Sequence, residues 1–159
     1  MRVHFVSDVH GAAEDLPAAA EGADLFVCLG DLLLYLDYDD PTQGAFAEVF
    51  GADVTADYIA LRTAKRFDDA RALTAAAWER LSGSADPSSR MQRFVPIINR
   101  QYEQLFAALP DSALLTFGNV DIPSLAAPYL RGEQRVLDGE VIEVAGVRFG
   151  FVGGGLPSP

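Results

Sequence analysis

Three short, largely apolar runs constrain the fold of this 159-residue chain most strongly, because each ends at a turn that carries polar side chains. They cover residues 3–6, 25–29 and 113–117. The run over residues 25–29 is uninterrupted, which is typical of a strand in a sheet that is covered on both faces. A strand, helix, strand order predicts parallel neighbours, so the carboxyl ends of the first two strands should meet at one edge of the sheet.

The segment between the first two runs predicts a short helix. We expect Asp15 to cap its N-terminus, Pro17 to fit its first turn and Gly22 to end it. This β-α-β unit would place the turn after the second strand beside the turn after the first.

The middle of the chain predicts mostly helix. A short helix over about 42–50 should end at Gly51, and a longer one, rich in Ala and Leu, is predicted over about 55–81. Gly83 is the expected stop of the longer helix, and residues 86–88 are an expected break.

A third helix follows from apolar residues at three- and four-residue steps between residues 91 and 109, with Pro110 at its end. Pro96 leaves two alternatives open, since it either kinks this helix or lies in its first turn. The helical insertion of about 42–109 likewise has two interpretations: a cap that selects substrate, or a helical pair that only packs.

The last part of the chain predicts short strands over residues 135–137, 140–144 and 147–152. Asp138-Gly139 and Ala145-Gly146 are turn dipeptides, so we expect an antiparallel meander. The whole pattern predicts an α/β protein, organised as a single domain over residues 1–159.

Charge and composition limit the classes of function. The chain has 23 acidic and 12 basic residues, a formal net charge of −11, which repels nucleic acid and anionic membranes. Cys28 is the only cysteine, and no apolar leader or membrane span is evident. We therefore expect a cytoplasmic protein with no nucleic-acid or membrane partner, and the sequence does not indicate its oligomeric state.

The polar residues at the three strand ends are of the kinds that bind metal ions. Asp8 and His10 follow the first strand, Asp31 follows the second and Asn119 follows the third. Ligands of α/β sheets gather at the carboxyl ends of the strands. Two neighbouring divalent cations need a bridging carboxylate with nitrogen and oxygen donors on either side, and these four residues provide that set.

The same positions carry a family resemblance. Asp8-Val9-His10, Gly30-Asp31 and Gly118-Asn119-Val120-Asp121 resemble, in order, the Asp-X-His, Gly-Asp and Gly-Asn-His-Asp/Glu blocks of the calcineurin-like metallophosphoesterase family. The resemblance implies a β-sandwich flanked by helices. It also implies hydrolysis of phosphodiesters or phosphomonoesters, with a small phosphate ester as substrate.

Residue roles follow from this resemblance alone. Asp8 and His10 would bind the first metal, Asp31 would bridge both metals, and Asn119 would bind the second. A water or hydroxide held between the cations would attack phosphorus, so no side chain is required as nucleophile. The mixed ligands favour manganese or iron over calcium and do not separate these from zinc. Asp121 either orients Asn119 or caps the following segment.

The sequence departs from the family pattern at two points. Val120 stands where many members carry a histidine that protonates the leaving group. The later histidine blocks are absent, because His4 and His10 are the only histidines, and we expect His4 to be a packed strand residue. Two hypotheses follow: the chain is a fragment of a complete phosphoesterase domain, or it is a non-catalytic binding scaffold with a degenerate metal site.

Overall fold

Four parallel strands form the main sheet of the protein. The computed structural model describes residues 1–82 and 87–154. The strands, in their order across the sheet, are β1 (Val3–Val6), β2 (Leu25–Cys28), β3 (Leu114–Leu115) and β4 (Arg135–Val136). Val3 lies opposite Leu25 and Val6 opposite Cys28, so the predicted parallel pairing of the first two strands is confirmed.

Six α-helices, two 3-10 segments and a hairpin complete the part of the chain that the structure describes. The helices are α1 (Leu16–Ala20), α2 (Gly44–Phe50), α3 (Ala52–Thr63), α4 (Phe67–Ser82), α5 (Pro87–Ala108) and α6 (Pro123–Ala126), with 3-10 segments at Ala13–Asp15 and Ala127–Tyr129. The antiparallel hairpin consists of β5 (Val141–Val144) and β6 (Val147–Gly150). The α/β class is therefore confirmed. None of the helices within residues 1–82 and 87–154 has the length and apolarity needed to cross a membrane.

The chain divides into two compact units. The first joins Met1–Leu33 to Asn99–Pro159 and holds both sheets. The second is the intervening segment Leu34–Ile98, which holds α2, α3, α4 and the beginning of α5. Each unit has apolar packing of its own.

The packing of the first unit includes a cluster that the parallel sheet and the hairpin share. Its buried members are Val27, Leu114, Leu137 and Phe151, and the partly buried residues against it are Val3, Leu25, Ile142 and Phe149. Ile142 and Phe149 lie opposite each other in the hairpin, so one hairpin face packs on the sheet. The finer expectation of a metallophosphoesterase-type β-sandwich stays a prediction.

A buried glutamine closes the C-terminal end of α5. The Nε2 of Gln134 donates to the carbonyls of Phe106, Leu109 and Pro110 at 3.0, 3.3 and 3.2 Å, and its Oε1 accepts from the Arg131 N–H at 2.9 Å. The last carbonyls of a helix have no partner within the helix, so this side chain satisfies groups that burial would otherwise leave unpaired.

The second unit packs around aromatic rings. The Phe46 ring is 3% exposed and lies 4.6 Å, centroid to centroid, from both Phe50 and Tyr58. Trp78 lies 4.8 Å from Phe50 and 6.0 Å from Phe94. Such contacts add to the burial of large apolar areas, so these rings help to stabilise a unit that contains no described strand.

The predicted long helix over about 55–81 is wrong, because two helices occupy this region. The chain turns at Lys65, whose φ of 59° is left-handed. The Lys65 N–H donates to the Arg62 carbonyl at 3.0 Å and the Arg66 N–H to the Leu61 carbonyl at 2.9 Å. This is the hydrogen-bond pattern of a Schellman motif, which usually places glycine where lysine stands here. The predicted stop at Gly83 lies outside the described residues.

The predicted meander is wrong for its first strand and right for the last two. β4 pairs in parallel with β3, with Leu114 opposite Arg135, because α6 and the following 3-10 segment return the chain to the same end of the sheet. β5 and β6 form the expected antiparallel hairpin. Ala145 and Gly146 at its turn both have positive φ, 50° and 79°, as in the type I′ turns that match strand twist.

Smaller predictions have mixed outcomes. Asp15 holds the N-cap position of α1 but makes no side-chain capping bond, so that capping role is wrong, while Pro17 lies in the first turn as expected. Gly51 ends α2 as predicted. Pro96 lies inside α5, so its first-turn alternative is wrong, and Pro87 begins that helix.

Candidate metal centre

Three of the four predicted ligands come together at the carboxyl ends of β1 and β2. Asp8, His10 and Asp31 each offer one ligand atom, and these atoms all lie within 4.8 Å of one another. The His10 Nε2 lies 3.9 Å from the Asp8 Oδ1. Asp8 and His10 are exposed and Asp31 is half-buried, so the group is open to solvent.

Backbone hydrogen bonds continue the pairing of β1 and β2 into the turns that carry these residues. The Asp8 N–H donates to the Gly30 carbonyl at 3.2 Å, and the His10 N–H to the Asp31 carbonyl at 2.9 Å. The Gly11 N–H donates to the Leu32 carbonyl at 2.8 Å. The two turns therefore run side by side, which brings their side chains to one point.

The hydrogen bond of the His10 ring leaves one nitrogen suited to a metal. Its Nδ1 lies 3.2 Å from the Leu33 carbonyl oxygen. A carbonyl only accepts hydrogen bonds, so the proton is assigned to Nδ1 and the Nε2 lone pair faces the carboxylates. Metal-binding histidines commonly have this arrangement, with the second nitrogen donating to a carbonyl.

All three residues of the group have left-handed backbone. The φ angles are 53° for Asp8, 43° for His10 and 52° for Asp31. Residues with a Cβ pay about 1–2 kcal/mol each for this conformation, which persists only where the surroundings impose it. The fold thus accepts local strain at the three side chains that could bind a metal, which is a recurrent property of functional sites.

Two glycines let the turn after β3 approach the turn after β2. A Cβ on Gly30 would overlap the backbone nitrogen of Gly118, and a Cβ on Gly118 would overlap the Asp31 carboxylate. Neither position accepts a side chain without movement of the backbone. This close approach places the backbone of Asn119 next to Asp31.

Asn119, the fourth predicted ligand, is held by its neighbours in sequence. The Val120 N–H donates to the Asp31 Oδ1 at 3.1 Å, which orients that carboxylate as well as the turn. The Asn119 side chain is exposed. The close approach concerns the backbone of this turn, so the place of the Asn119 amide oxygen in the donor set stays a prediction.

Asp121 joins the two turns from behind the ligands. Its Oδ1 accepts from the Leu32 N–H at 3.0 Å and its Oδ2 from the Gly118 N–H at 2.9 Å. Burial raises the pKa of the Asp121 carboxyl, while these N–H donors oppose that rise. Ile122 holds the N-cap position of α6, so the capping alternative for Asp121 is wrong. The alternative that Asp121 orients Asn119 stays a prediction, since the Asp121 carboxylate contacts Gly118, the residue before Asn119.

The other histidine lies in β1, away from this group. His4 is half-buried, and its Nδ1 lies 2.8 Å from the Ala19 carbonyl oxygen. The prediction of a packed strand residue is confirmed. Two further contacts lacked a sequence signal, namely the Leu33 carbonyl on His10 and the hydroxyl of Ser7, which donates to the Asp8 Oδ2.

Comparisons of the chain with protein-family models, with curated proteins and with solved structures return no match. The case for a metal centre therefore depends on geometry and donor chemistry. Two carboxylates and an imidazole nitrogen suit a divalent first-row metal such as manganese, iron or zinc. The residues fit such an ion, and all of them belong to the first unit.

Proposed function

We propose that this protein binds divalent metal ions at Asp8, His10, Asp31 and Asn119 and hydrolyses phosphate esters with their help. The observation that carries the proposal is the convergence of Asp8, His10 and Asp31 within 4.8 Å on strained, left-handed backbone. Structural ion pairs need no such strain, so the convergence favours a functional site.

The residues have distinct roles in this proposal. Asp8 and His10 would hold the first metal, Asp31 would contribute a carboxylate to both metals, and Asn119 would contribute to the second. When bound, the metals supply positive charge for the phosphoryl oxygens and lower the pKa of a water molecule. The chain itself orients the donors through the Leu33 carbonyl and the backbone N–H of Val120.

The substrate class follows from charge and from Val120. The protein carries a net charge of −11, so an anionic ester approaches only where metal ions offset that charge. A valine side chain cannot protonate a leaving group. Phosphodiesters or monoesters with acidic leaving groups, such as nitrophenolate, should therefore react faster than simple alkyl esters.

Metal binding is the first test, and calorimetric titration with Mn²⁺ measures it. Asp31→Asn removes the central carboxylate and should lower the affinity at least about tenfold. Asp39→Asn makes the same change of charge at an acidic residue outside the ligand group and should leave the affinity unchanged. Equal losses in both variants would mean that general acidity, and not this group, attracts the cation.

Hydrolysis is the second test. The protein is assayed with bis-p-nitrophenyl phosphate and Mn²⁺, with Asp31→Asn as the negative control and Asp39→Asn as the positive one. Turnover by the wild type and Asp39→Asn, and none by Asp31→Asn, is the expected result. Turnover that survives in Asp31→Asn would contradict the assignment of the site.

A non-catalytic metal-binding scaffold is the alternative function. Val120 favours it, because the position offers no proton donor, and so does the presence of one histidine in the group. Tight Mn²⁺ binding that depends on Asp31, without turnover of any nitrophenyl ester, would establish this alternative.

A further inference from the structure

The side chain of Tyr102 on α5 reaches the turn that follows Asn119. It is fully buried, and its hydroxyl oxygen accepts a hydrogen bond from the Ile122 N–H at 2.7 Å. Burial raises the pKa of Tyr102, the Ile122 N–H opposes that rise, and the negative charge of the neighbouring Asp121 carboxylate raises the pKa further. The hydroxyl thus holds the backbone of the residue that directly follows Asp121.

The Asp121 carboxylate contacts both turns that carry the proposed metal ligands. Its two oxygens accept from the N–H groups of Leu32 and Gly118, which stand next to Asp31 and Asn119. A carboxylate that receives donors from two separate turns fixes the spacing between them. The Val120 N–H in turn donates to Asp31, so a backbone N–H of each turn binds an aspartate of the other turn.

The tyrosine ring gives this network a rigid support. Its centroid lies 5.9 Å from that of Phe106 on the same helix and 6.4 Å from that of Tyr129. A ring packed in this way cannot change rotamer freely, so the hydroxyl stays at the Ile122 N–H.

We propose that Tyr102 is a positioning residue of the metal centre: its hydroxyl, bonded to the Ile122 N–H, holds the turn that carries Asp121, and the Asp121 carboxylate sets the relative position of Asp31 and Asn119. This inference rests on the proposed metal-binding function. Tyr102 contacts neither metal nor substrate, and it acts through Asp121. Partners that orient metal ligands in this way typically change metal affinity by about 10–100-fold.

The first experiment needs no metal. Amide hydrogen exchange is measured by NMR in the wild type, in Tyr102→Phe, which keeps the ring, and in Tyr129→Phe as the matched hydroxyl deletion. In Tyr102→Phe the amides of Leu32 and Gly118 should exchange about fivefold to tenfold faster. The reference is the Leu137 amide, which is bonded to β3 and should change less. Equal acceleration at all three amides would overturn the inference, because it indicates only lower global stability.

The second experiment uses metal. Tyr102→Phe should lower Mn²⁺ affinity about tenfold and alter the visible spectrum of the protein saturated with Co²⁺, since that spectrum reports ligand geometry. Asp121→Asn tests the same link from its other end and should alter the spectrum as well. Tyr129→Phe should match the wild type in both measurements.

The outcomes separate the two proposals. An unchanged Co²⁺ spectrum in Tyr102→Phe, with metal bound, would overturn the positioning role while the metal site stands. A wild type that binds no metal, together with selective acceleration at Leu32 and Gly118, would overturn the proposed function and support the link from Tyr102 to the two turns.

Discussion

At the scale of single residues, the backbone conformation of the three clustered residues distinguishes this site from an ordinary acidic turn. Asp8, His10 and Asp31 have positive φ, and Gly30 and Gly118 allow the close approach of two turns. A chain selected only for stability would place glycine or asparagine at such positions. Aspartate and histidine at these positions fit the proposed role of their side chains in metal binding.

The strain at Asp8 can be measured with two variants that remove the same carboxylate. Asp8→Gly relieves the left-handed conformation, whereas Asp8→Ala keeps it. Without metal, Asp8→Gly should be more stable than Asp8→Ala by about 1 kcal/mol in urea unfolding. Both variants should bind Mn²⁺ more weakly than the wild type. Equal stability of the two variants would show that φ at this position carries no strain.

Cys28 leads to a prediction of pH dependence. Burial raises the pKa of its thiol from 9.0 to about 11, so between these values the unfolded chain loses the proton and the folded chain keeps it. Stability should therefore be unaffected below pH 9 and should fall as the pH rises toward 11, by about 2–3 kcal/mol in total. The difference between the unfolding free energies of the wild type and Cys28→Ala isolates this contribution. A difference that does not vary between pH 8 and pH 11 would contradict it.

The sequence predicted which side chains meet, but not how they are held. The meeting of Asp8, His10 and Asp31 could be predicted because each of them follows an apolar run and parallel strands end at one edge of the sheet. Tyr102 belongs to the apolar stripe of a predicted helix, and the periodicity of that stripe does not show which group its hydroxyl contacts. The Leu33 carbonyl on His10 is a backbone group with no sequence signature at all.

At the scale of elements, helix ends were predicted correctly where the usual residue type, glycine, is present. They were missed where another residue takes the place of glycine. Gly51 ends α2 as glycine usually does. The break at Lys65 escaped prediction because lysine favours helix and seldom adopts positive φ. The sequence of a two-residue strand does not show which strand it pairs with, so the meander prediction for β4 was wrong. The crossover through α6 determines that β4 pairs in parallel with β3.

The break at Lys65 gives a direct test at this scale. Lys65→Gly should stabilise the protein by about 1 kcal/mol, since glycine adopts the left-handed conformation without steric cost. Lys65→Ala keeps that cost and is the matched control. Trp78, the only tryptophan of the chain, lies in the same unit, so its fluorescence reports the unfolding of this region. A Lys65→Gly variant no more stable than Lys65→Ala would argue against the Schellman turn.

At the scale of the whole molecule, charge and unit organisation determine how metal should act on stability. The net charge of −11 attracts cations weakly everywhere, whereas the proposed ligands are confined to the first unit. Only specific binding to the folded site stabilises the native state in proportion to ligand affinity. Local exchange measurements distinguish that effect from general screening.

Bound Mn²⁺ should therefore protect the sheet of the first unit. With free Mn²⁺ about 100-fold above its dissociation constant, amides of β1 and β2 that exchange through unfolding of the site should gain about 2.7 kcal/mol of protection. Asp8 and His10 follow β1 and Asp31 follows β2, so the site cannot persist when these two strands separate. Hydrogen exchange with and without Mn²⁺ measures the gain, with KCl of equal ionic strength as the control for screening. Asp31→Asn should show no gain, and an equal gain in that variant would place the bound ion elsewhere on the acidic surface.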